Sequence, residues 1–477
     1  MDDNFCGRNS GNDEKFDLVV VGAGSAGFSA AITAAEQGAR VAVIGYGTIG
    51  GTCVNVGCVP SKAMIRATEA IHHANTARRF TGVTAQARID DWRALVAQKQ
   101  QLVDELRQAK YLDVLPTYDN ITYIEGQAHL VEGGVAIDAR IISTEKIIIA
   151  TGTRPALPAI AGIDNVDYLT STSALELDRL PASILVMGGG YIGCELAQMF
   201  ARAGAAVTIV TRRSLLANGE PEISAALTKY FRSEGLSVYD GLSYQEIKNT
   251  ATGVKLTIDQ DGTMHSIEAE RLLVTTGRTA NVEALNLETA GVHLNSNGGI
   301  EVDEQMRTSN AGVYAAGDVT GQDQFVYMAA YGARIAATNA LNGDNLSYDN
   351  TAMPAVVFTD PQIATVGLTE AQARQDGFKV RTSVLPLEHV PRALAARDTR
   401  GLIKLVADGD SRRLLGAHII APEGADSIQT AALAISQKMT IDDLAQMIFP
   451  YLTTVEGLKL AAQTFDKDVA KLSCCAG

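Results

Sequence analysis

Apolar residues occur in short runs of strand length, and these runs alternate with helix-length segments along most of the chain. The first run, Leu18–Val21, is followed by a glycine-rich turn, a helical segment over residues 28–36 and a second run over residues 40–44. Continuous apolar runs of this length are typical of parallel strands that are covered on both faces. The pattern therefore predicts a strand–helix–strand unit and an α/β fold.

The turn of this first unit carries glycines at G-x-G-x-x-G spacing. They are Gly22, Gly24 and Gly27, and the same arrangement returns at Gly188, Gly190 and Gly193, between a strand over 183–187 and a helix over 194–203. Such glycines let the backbone approach a pyrophosphate at a helix N-terminus. A single motif is weak evidence, because a glycine turn can serve packing alone. Two motifs in the right context predict two dinucleotide sites.

Further strands end in turns of small residues. Residues 146–150 lead into Thr151 and Gly152, residues 272–275 lead into Gly277, and residues 312–316 lead to Asp318. A carboxylate at the last position can meet a ribityl or ribose hydroxyl. From about Thr351 the glycine-rich turns become rarer, which indicates a third, C-terminal domain.

Composition narrows the class of protein. A chain of 477 residues is too long for one core and predicts two to four domains. The net charge of −14 argues against nucleic acid as the main partner. No apolar stretch reaches about 18 residues, so we expect no membrane span. The polar N-terminus lacks the features of a signal peptide, and the sparse cysteines fit a reducing compartment, so we expect a cytoplasmic protein.

Four of the six cysteines fall into two pairs, Cys53 with Cys58 and Cys474 with Cys475, while Cys6 and Cys194 stand alone. The spacing of the first pair is not that of a structural zinc site. Neighbouring Cα atoms lie about 3.8 Å apart, less than the usual disulfide separation of about 4.4–6.8 Å, so a disulfide between adjacent cysteines is strained. Two adjacent thiolates are good ligands for a soft metal ion, and the pairs together predict electron transfer to such an ion.

The motifs taken together carry a family resemblance. The segment GTCVNVGCVPSK (51–62), Ala150-Thr-Gly152, both glycine motifs and Ala316-Gly-Asp318 resemble the flavin-dependent pyridine nucleotide–disulfide oxidoreductases, which include glutathione reductase and dihydrolipoamide dehydrogenase. The resemblance extends from Phe16 to the end of the chain. Within the family, residues 449–456 and the Cys474–Cys475 tail are most similar to mercuric ion reductases. We expect the chain to be their catalytic core without the separate N-terminal metal-binding domain that many of them carry.

The resemblance implies a division into two Rossmann-like domains and an α+β domain. An FAD-binding domain is expected over residues 1–155 and 279–350, with an NADPH-binding domain inserted over 156–278. Residues 351–477 are expected to form a dimerisation domain that ends in a metal-binding tail. In the family, this tail reaches the disulfide of the other subunit, so we expect a homodimer whose active site is shared across the interface.

The resemblance also implies roles for individual residues. Cys53 and Cys58 form a redox-active disulfide, in which Cys58 lies nearest the flavin and Cys53 exchanges with substrate. Lys62 and Glu195 match a pair near flavin N5, and Tyr191 matches a tyrosine that covers the flavin and moves aside for nicotinamide. Hg(II) would bind Cys474 and Cys475 before Cys53 and Cys58. The residues expected to bind the cofactors are Gly22, Gly24, Gly27, Gly51, Thr52, Lys62, Thr151, Gly152, Asp318, Gly188, Gly190, Gly193, Arg212, Arg213 and Gly277.

The absence of a histidine near the C-terminus bears on whether the substrate is a disulfide or a metal ion. Members that reduce disulfides need an acid–base group, usually a His-Glu pair near the C-terminus. No histidine follows His418, and aligning Glu456 with that glutamate places Tyr451 at the histidine position. A neutral phenol is a poor base near pH 7 but can lie beside a metal ion. This favours reduction of Hg(II) to Hg(0) in mercury detoxification. A reductase of a small disulfide and a non-enzymatic mercury-binding flavoprotein remain as alternatives.

Cofactor preference is indicated where the second strand of each unit ends. In the second unit, Thr211 stands where NAD sites often have an acidic residue, and Arg212 and Arg213 follow. Guanidinium groups can bind a 2′-phosphate, so NADPH is predicted over NADH. In the first unit, Gly45 stands where the family has a carboxylate for the ribose. This departure predicts weaker adenosine binding or a substitute from a neighbouring residue.

Overall fold

A computed structural model describes residues 15–472 of the chain. In the first third of the chain, strands alternate with helices in an α/β arrangement. The strands are β1 Leu18–Val21, β2 Val41–Gly45, β3 Ile121–Glu125, β4 Ala128–Val131, β5 Gly134–Ile137, β6 Arg140–Ser143, β7 Ile147–Ile149 and β8 Thr153–Pro155. The helices are α1 Ser25–Glu36, α2 Gly51–Asn55, α3 Cys58–Asn75 and α4 Trp92–Arg107, and α4 continues into a π-helical turn over Gln108–Leu112.

The middle of the chain repeats this order. Its strands are β9 Tyr168–Leu169, β10 Ser183–Met187, β11 Ala206–Val210, β12 Ser237–Tyr239, β13 Ser243–Asn249, β14 Val254–Gln260, β15 Thr263–Ala269, β16 Arg271–Val274, β17 Arg278–Ala280 and β18 Val313–Ala315. Its helices are α5 Ser171–Ala174, α6 Tyr191–Ala203, α7 Pro221–Ser233 and α8 Val326–Asn342.

The C-terminal part differs in its strand pairing. Its strands are β19 Pro354–Val357, β20 Gln362–Gly367, β21 Val380–Pro386, β22 Leu402–Asp408 and β23 Leu414–Ala421. Its helices are α9 Glu370–Gln375, α10 Pro391–Ala395, α11 Gly424–Ser436, α12 Ile441–Gln446 and α13 Glu456–Gln463. The strands form an antiparallel sheet in the order β19-β20-β23-β22-β21.

The chain divides into two compact units that are each discontinuous in sequence. The first contains the residues up to Cys58, residues 102–154 and residues 278–348, and the second contains residues 59–101, 155–277 and the residues from Asp349. Each unit has a parallel sheet of its own, and the second also holds the antiparallel C-terminal sheet. Among the described helices, none is long and apolar enough to cross a membrane.

In the first unit, the parallel sheet has the order β18-β7-β1-β2-β3. Side chains of β1 alternate between two cores, with Leu18 and Val20 in one and Val19 and Val21 in the other. This explains the continuous apolar run, because a strand buried on both faces needs apolar residues at every position. Helices α1 and α8 pack against each other, and Ser29 Oγ donates to the Ala330 carbonyl at 2.8 Å.

In the second unit, the parallel sheet has the order β12-β11-β10-β16-β9. The predicted bounds of β10 are confirmed, and the helices that follow the two glycine motifs begin earlier than their apolar pattern predicts. Helix α1 starts at Ser25 and α6 at Tyr191, each directly after the second glycine of its motif, which caps the helix in an extended conformation. The first turn of each helix contains the third glycine of its motif, a poor helix former, so hydrophobic periodicity alone does not reveal it.

Candidate functional site

The first glycine motif leaves no room for side chains at its outer positions. Gly22 has φ +122°, and a Cβ there would collide with the Ala150 carbonyl. A Cβ at Gly27 would collide with the Gly22 carbonyl, so this glycine lets α1 pack tightly on its own turn. Gly24 caps the N-terminus of α1. The open helix end and the close backbone approach fit the pyrophosphate of a dinucleotide.

The segment that carries the first cysteine pair crosses directly over this turn. The Gly50 amide donates to the Ala23 carbonyl at 2.8 Å, and a Cβ at Gly51 would lie 2.6 Å from the Cα of Gly24. Gly51 has φ +66°, a left-handed conformation that favours glycine. The contact places Thr52 and Cys53, at the start of α2, beside the predicted pyrophosphate site.

Cys53 and Cys58 are half-buried and belong to different helices. Cys53 lies in α2, whereas Cys58 is the first residue of the long helix α3. A helix N-terminus stabilises negative charge, so it lowers the pKa of a thiol placed there. Residue Lys62 follows one turn later on α3. Cys58 therefore lies at a helix N-terminus, whereas Cys53 lies inside the short helix before it.

Arg278 adds a positive charge that the sequence argument missed. Its Nε donates to Thr153 Oγ1 at 2.7 Å and its Nη2 to the Thr153 carbonyl at 2.8 Å. Burial lowers the pKa of Arg278, and the charges of Asp318 and of the Cys58 thiolate partly offset this. The guanidinium therefore lies within electrostatic range of Cys58 and stabilises its thiolate. Its only signal in the sequence is its position directly after Gly277.

The loop before Cys53 is fixed by two further residues that were not predicted. Asn55 Nδ2 donates to the carbonyls of Ile49 and Gly51, both at 2.9 Å, and Arg107 Nη1 donates to Asn55 Oδ1 at 3.1 Å. One turn beyond Arg107, in the π-helical turn, Tyr111 forms a hydrogen bond with Ser25 at 3.2 Å. Burial raises the pKa of Tyr111, Ser25 opposes this, and the thiolates of Cys53 and Cys58 raise it further.

Asp318 stands where the sequence places it, just after β18. It follows Gly317, whose φ is +79°, and begins a short 3₁₀ turn. Thr153 Oγ1 donates to Asp318 Oδ2 at 3.1 Å. Nearby, Thr151 Oγ1 donates to the Asn281 carbonyl at 2.7 Å, and Asn281 Nδ2 donates back to the Thr151 carbonyl at 2.9 Å. These bonds fix the turn at Thr151 and Gly152, at the carboxyl end of β7.

In the second unit, the second glycine motif repeats this geometry. Gly188 has φ +118°, and a Cβ at Gly193 would collide with the Gly188 carbonyl. A Cβ at Gly190 would meet nothing within 4 Å, so the space in front of α6 is open. Gly277 has φ +140° and is likewise open. The arrangement fits a second dinucleotide.

Two arginines follow the second strand of this motif. Arg212 and Arg213 are exposed, and they follow Thr211, the first residue after β11. Burial raises the pKa of Tyr244 to about 12, and the nearby charge of Arg212 opposes that rise. Thr211 is buried and carries no charge. A ribose 2′-phosphate would therefore meet positive charge here and no carboxylate at Thr211.

Lys62 and Glu195, predicted as a pair, are in contact. Lys62 Nζ lies 2.7 Å from Glu195 Oε2 and also 4.9 Å from the centre of the Phe358 ring. The Phe358 amide donates to Glu195 Oε1 at 2.9 Å, so both carboxylate oxygens are satisfied. Tyr191, the first residue of α6, exposes 40% of its surface, and desolvation of its hydroxyl raises its pKa.

Of the C-terminal residues predicted to belong to the site, the structure describes some but not all. Tyr451 exposes 55% of its surface, and Glu456 is buried at the first position of α13. Glu456 Oε2 accepts from the Leu452 amide at 3.2 Å, so this carboxylate fixes the turn that carries Tyr451. Cys474 and Cys475, the predicted metal-capturing pair, lie outside the described residues, as does Cys6.

Two family models match nearly the whole chain. The pyridine nucleotide-disulphide oxidoreductase model matches residues 16–337, and the dimerisation domain model of the same family matches residues 353–462. The chain belongs to the pyridine nucleotide–disulphide oxidoreductases. Membership of this family implies FAD and NADPH as the cofactors, and residues 353–462 form its dimerisation domain, which supports a homodimer.

Curated relatives in this family carry a common name. A mercuric reductase from Lysinibacillus sphaericus is 45% identical over 98% of this chain and 85% of its own length. Mercuric reductases from Streptomyces lividans and Shigella flexneri are 45% and 47% identical, over 97% and 99% of this chain and 98% and 85% of their own lengths. Among solved structures, the HOCl-induced flavoprotein disulfide reductase RclA from Escherichia coli matches with a TM-score of 0.82 and 30% identity, over 94% of this chain and 99% of that one.

Proposed function

We propose that this protein is a cytoplasmic mercuric reductase that uses NADPH to reduce Hg(II) to Hg(0) and so detoxifies mercury. The observation that carries the proposal is the half-buried pair of Cys53, in α2, and Cys58, at the N-terminus of α3, in a chain 43–47% identical to several mercuric reductases. The reaction balances as NADPH plus Hg(II) giving NADP⁺, a proton and Hg(0).

The residues present fit both cofactors. The backbone around Gly22, Gly24 and Gly51 would hold the FAD pyrophosphate, and Asp318 would accept from a ribityl or ribose hydroxyl. Gly188, Gly190 and Gly193 would hold NADPH, with Arg212 and Arg213 on its 2′-phosphate. Bound FAD supplies the two-electron chemistry, because it can accept a hydride from NADPH and return the electron pair to the thiol site.

Cys53 and Cys58 would hold the metal during reduction. The α3 N-terminus and Arg278 both favour the Cys58 thiolate, which a soft cation binds strongly. Cys53, on the short helix α2, would be the thiol that exchanges ligands with incoming Hg(II). Hg(0) binds thiolates weakly, so it leaves once the electrons have been transferred. Lys62 and Glu195 would orient each other beside the flavin, and Tyr191 would cover the nicotinamide position.

The C-terminal tail that carries Cys474 and Cys475 would deliver Hg(II) to the reducing site. Cys474 and Cys475 of the partner subunit would take Hg(II) from small thiols and pass it to Cys53 and Cys58 by ligand exchange. Tyr451 would lie beside the metal as a hydrogen-bond donor or weak ligand. The match to the dimerisation domain supports the homodimer that this route requires.

Reduction of a small disulfide is the competing function, and the chemistry at Tyr451 disfavours it. Protonation of a leaving thiolate needs an acid–base group with a pKa near neutrality. The sequence contains no histidine after His418. Reduction of Hg(II) to Hg(0) requires no such proton at the leaving thiols, so the missing histidine does not hinder it.

The test is NADPH oxidation by the purified dimer with excess small thiol, measured with Hg(II), with glutathione disulfide and with lipoamide. We expect turnover only with Hg(II). Cys53→Ala and Cys58→Ala should each lower it by on the order of 100-fold or more, because they remove a group bonded to the reacting species. The double variant Cys474→Ala, Cys475→Ala should lose turnover at low Hg(II) concentration.

Cys6→Ala is the matched control, because this cysteine belongs to neither pair and should leave turnover unchanged. Turnover with a disulfide and none with Hg(II) would overturn the proposed function. Full turnover in the Cys474→Ala, Cys475→Ala protein would overturn only the delivery route.

A further inference from the structure

The FAD side of the protein lacks a group that dinucleotide folds commonly use. In such folds an acidic side chain near the end of the second strand accepts a hydrogen bond from the adenosine ribose. Here β2 ends at Gly45, which is buried. The ribose hydroxyls of FAD therefore need another partner, or they remain without one.

The space that a side chain at position 45 would fill is already taken. A Cβ at Gly45 would lie 2.5 Å from the hydroxyl oxygen of Tyr123 and 2.8 Å from its Cε2. It would also lie 2.9 Å from the Cβ of Ala23, which belongs to the phosphate-binding turn. The Tyr123 hydroxyl is thus placed between the end of β2 and that turn.

Strand pairing explains how this tyrosine reaches the position. Strand β3 runs parallel to β2, with Tyr123 opposite Val43 and Glu125 opposite Gly45. Side chains two residues apart share a face of the sheet, so Tyr123 lies on the face of Val43 and Gly45. The long side chain then extends toward the carboxyl end of β2. With glycine at position 45, nothing obstructs it.

The hydroxyl is available for a ligand. Within residues 15–472, no protein group forms a hydrogen bond with it. Burial raises the pKa of Tyr123, and the charge of Glu125 raises it further, so the phenol stays protonated and can both donate and accept. A half-buried hydroxyl without a protein partner, at the end of β2, is positioned as a substitute for the missing carboxylate.

We propose that Tyr123 binds the adenosine ribose of FAD through its hydroxyl, and that Gly45 is required because the tyrosine occupies the space of the usual carboxylate. The inference rests on the FAD assignment of the first unit and not on mercury reduction. It makes the ribose contact a neutral hydrogen bond, where related folds have a charged one.

Glu125 is the alternative acceptor. Its carboxylate is exposed, and it lies at the end of β3 opposite Gly45. The two candidates predict different behaviour, because only one of them makes the ribose contact depend on the phenol. A test must therefore substitute Tyr123 and Glu125 separately and measure each variant with FAD and with FAD analogues that lack a ribose hydroxyl.

The experiment removes FAD from the purified protein and measures rebinding by calorimetry, without NADPH or mercury. The ligands are FAD and two analogues whose adenosine ribose lacks the 2′- or the 3′-hydroxyl. The unmodified protein should bind at least one analogue about 2- to 13-fold more weakly than FAD, the factor for one neutral hydrogen bond. Tyr123→Phe should bind FAD more weakly by a similar factor and should no longer distinguish that analogue from FAD.

Tyr118→Phe is the matched control. Its hydroxyl bonds the exposed Glu36 at 3.1 Å, away from Gly45, so both FAD affinity and analogue discrimination should be unchanged. Discrimination that persists in Tyr123→Phe, or that disappears in Glu125→Gln, would overturn the proposal. Because no turnover is measured, failure of the proposed mercury chemistry would leave this result intact.

Discussion

Asn55 shows how a single side chain can control the cysteine pair. It lies between Cys53 and Cys58 in sequence, and its amide bonds the carbonyls of Ile49 and Gly51 ahead of α2. Arg107 bonds the other end of the same amide at 3.1 Å. The side chain therefore closes the turn in front of Cys53 and connects it to the end of α4.

Asn55→Ala should lower the free energy of unfolding by about 1–3 kcal/mol, because two carbonyls and a guanidinium lose their partner. Asn55→Asp should fall between this variant and the unmodified protein, since it keeps an acceptor for Arg107 but loses both donors. Urea unfolding of the FAD-loaded protein measures the effect. In Asn55→Ala the reduced Cys53 should also react faster with an alkylating reagent, because its turn is loosened.

The control is Asn345→Ala, whose amide makes only an exposed bond to the Asn342 carbonyl at 3.3 Å. This change should stay within about 0.5 kcal/mol, as is usual for surface positions. Equal stability of Asn55→Ala and Asn345→Ala would show that the turn does not depend on Asn55.

Side chains such as Asn55 could not be assigned to the site from the sequence. Cys53, Cys58 and Asp318 were identified because their chemistry is carried by local motifs. Asn55, Arg278 and Tyr123 act through partners that are distant in sequence, such as Arg107 and Thr153. Nothing in the local pattern reveals a hydrogen bond between such residues, so only the folded chain brings them to the site.

At the scale of an element, helix α3 carries one cysteine of the pair at its start and two histidines in its last turn. It begins at Cys58 and has His72 and His73 in its last turn. His72 Nε2 lies 3.9 Å from Glu234, and His73 Nε2 lies 3.7 Å from Asp360. Burial, and then the charge of Arg202, lower the pKa of His72 to about 4. The nearby carboxylate of Asp360 raises the pKa of His73, and burial only partly opposes it.

The two histidines should affect stability in opposite directions. Between pH 6.5 and about 4, His72 takes up a proton in the unfolded chain but not in the folded one, so stability falls as the pH falls. His72→Gln should flatten the profile in this window. His73 stabilises the fold while it is protonated, and this contribution is lost as the pH rises through its raised pKa. His73→Gln should therefore remove a decline above about pH 6.5.

The measurement is the thermal unfolding midpoint of each variant relative to the unmodified protein across this pH range. His129→Gln is the control, because this histidine lies on β4, far along the chain from α3. Profiles of His72→Gln and His73→Gln that run parallel to that of the unmodified protein would contradict the pKa assignments.

Elements were predictable where both faces are buried. The continuous apolar runs of β1 and β10 identify these strands, because parallel strands between two layers admit few polar residues. Strand β3, with threonine and tyrosine among its residues, carries a weaker signal and was not assigned from sequence. That strand supplies Tyr123, so the ribose contact could not have been inferred without the pairing of β2 with β3.

At the scale of the whole molecule, buried charge holds parts of the second unit together. Lys404, on the C-terminal sheet, lies 2.8 Å from Glu220 and Glu222 and 2.9 Å from Glu370. Burial lowers the pKa of Lys404, but hydrogen bonds to these carboxylates outweigh it and raise the pKa overall. Loss of Lys404 would leave the buried Glu220 carboxylate and its two neighbours without this compensating charge. Composition indicates an acidic protein but does not reveal which charges are buried together.

The C-terminal domain was predictable for a different reason. A region poor in glycine-rich turns follows the two glycine motifs and indicates a separate C-terminal domain, and the dimerisation domain model matches residues 353–462 of that region. No local sequence pattern predicts that residues 59–101 belong to the second unit. Their membership depends on long-range packing, of which the Trp92 side chain bonded to the Leu177 carbonyl at 2.7 Å is one example.

In the proposed reaction, electrons from NADPH leave the protein on mercury. This is tested by collecting Hg(0) vapour from a sealed reaction and comparing its amount with the NADPH oxidised in the same sample. We expect one Hg(0) released for each NADPH consumed, and loss of both in Cys58→Ala. NADPH consumption in the presence of Hg(II) without Hg(0) release would mean that the electrons go elsewhere, and it would contradict the assignment of this protein as a mercuric reductase.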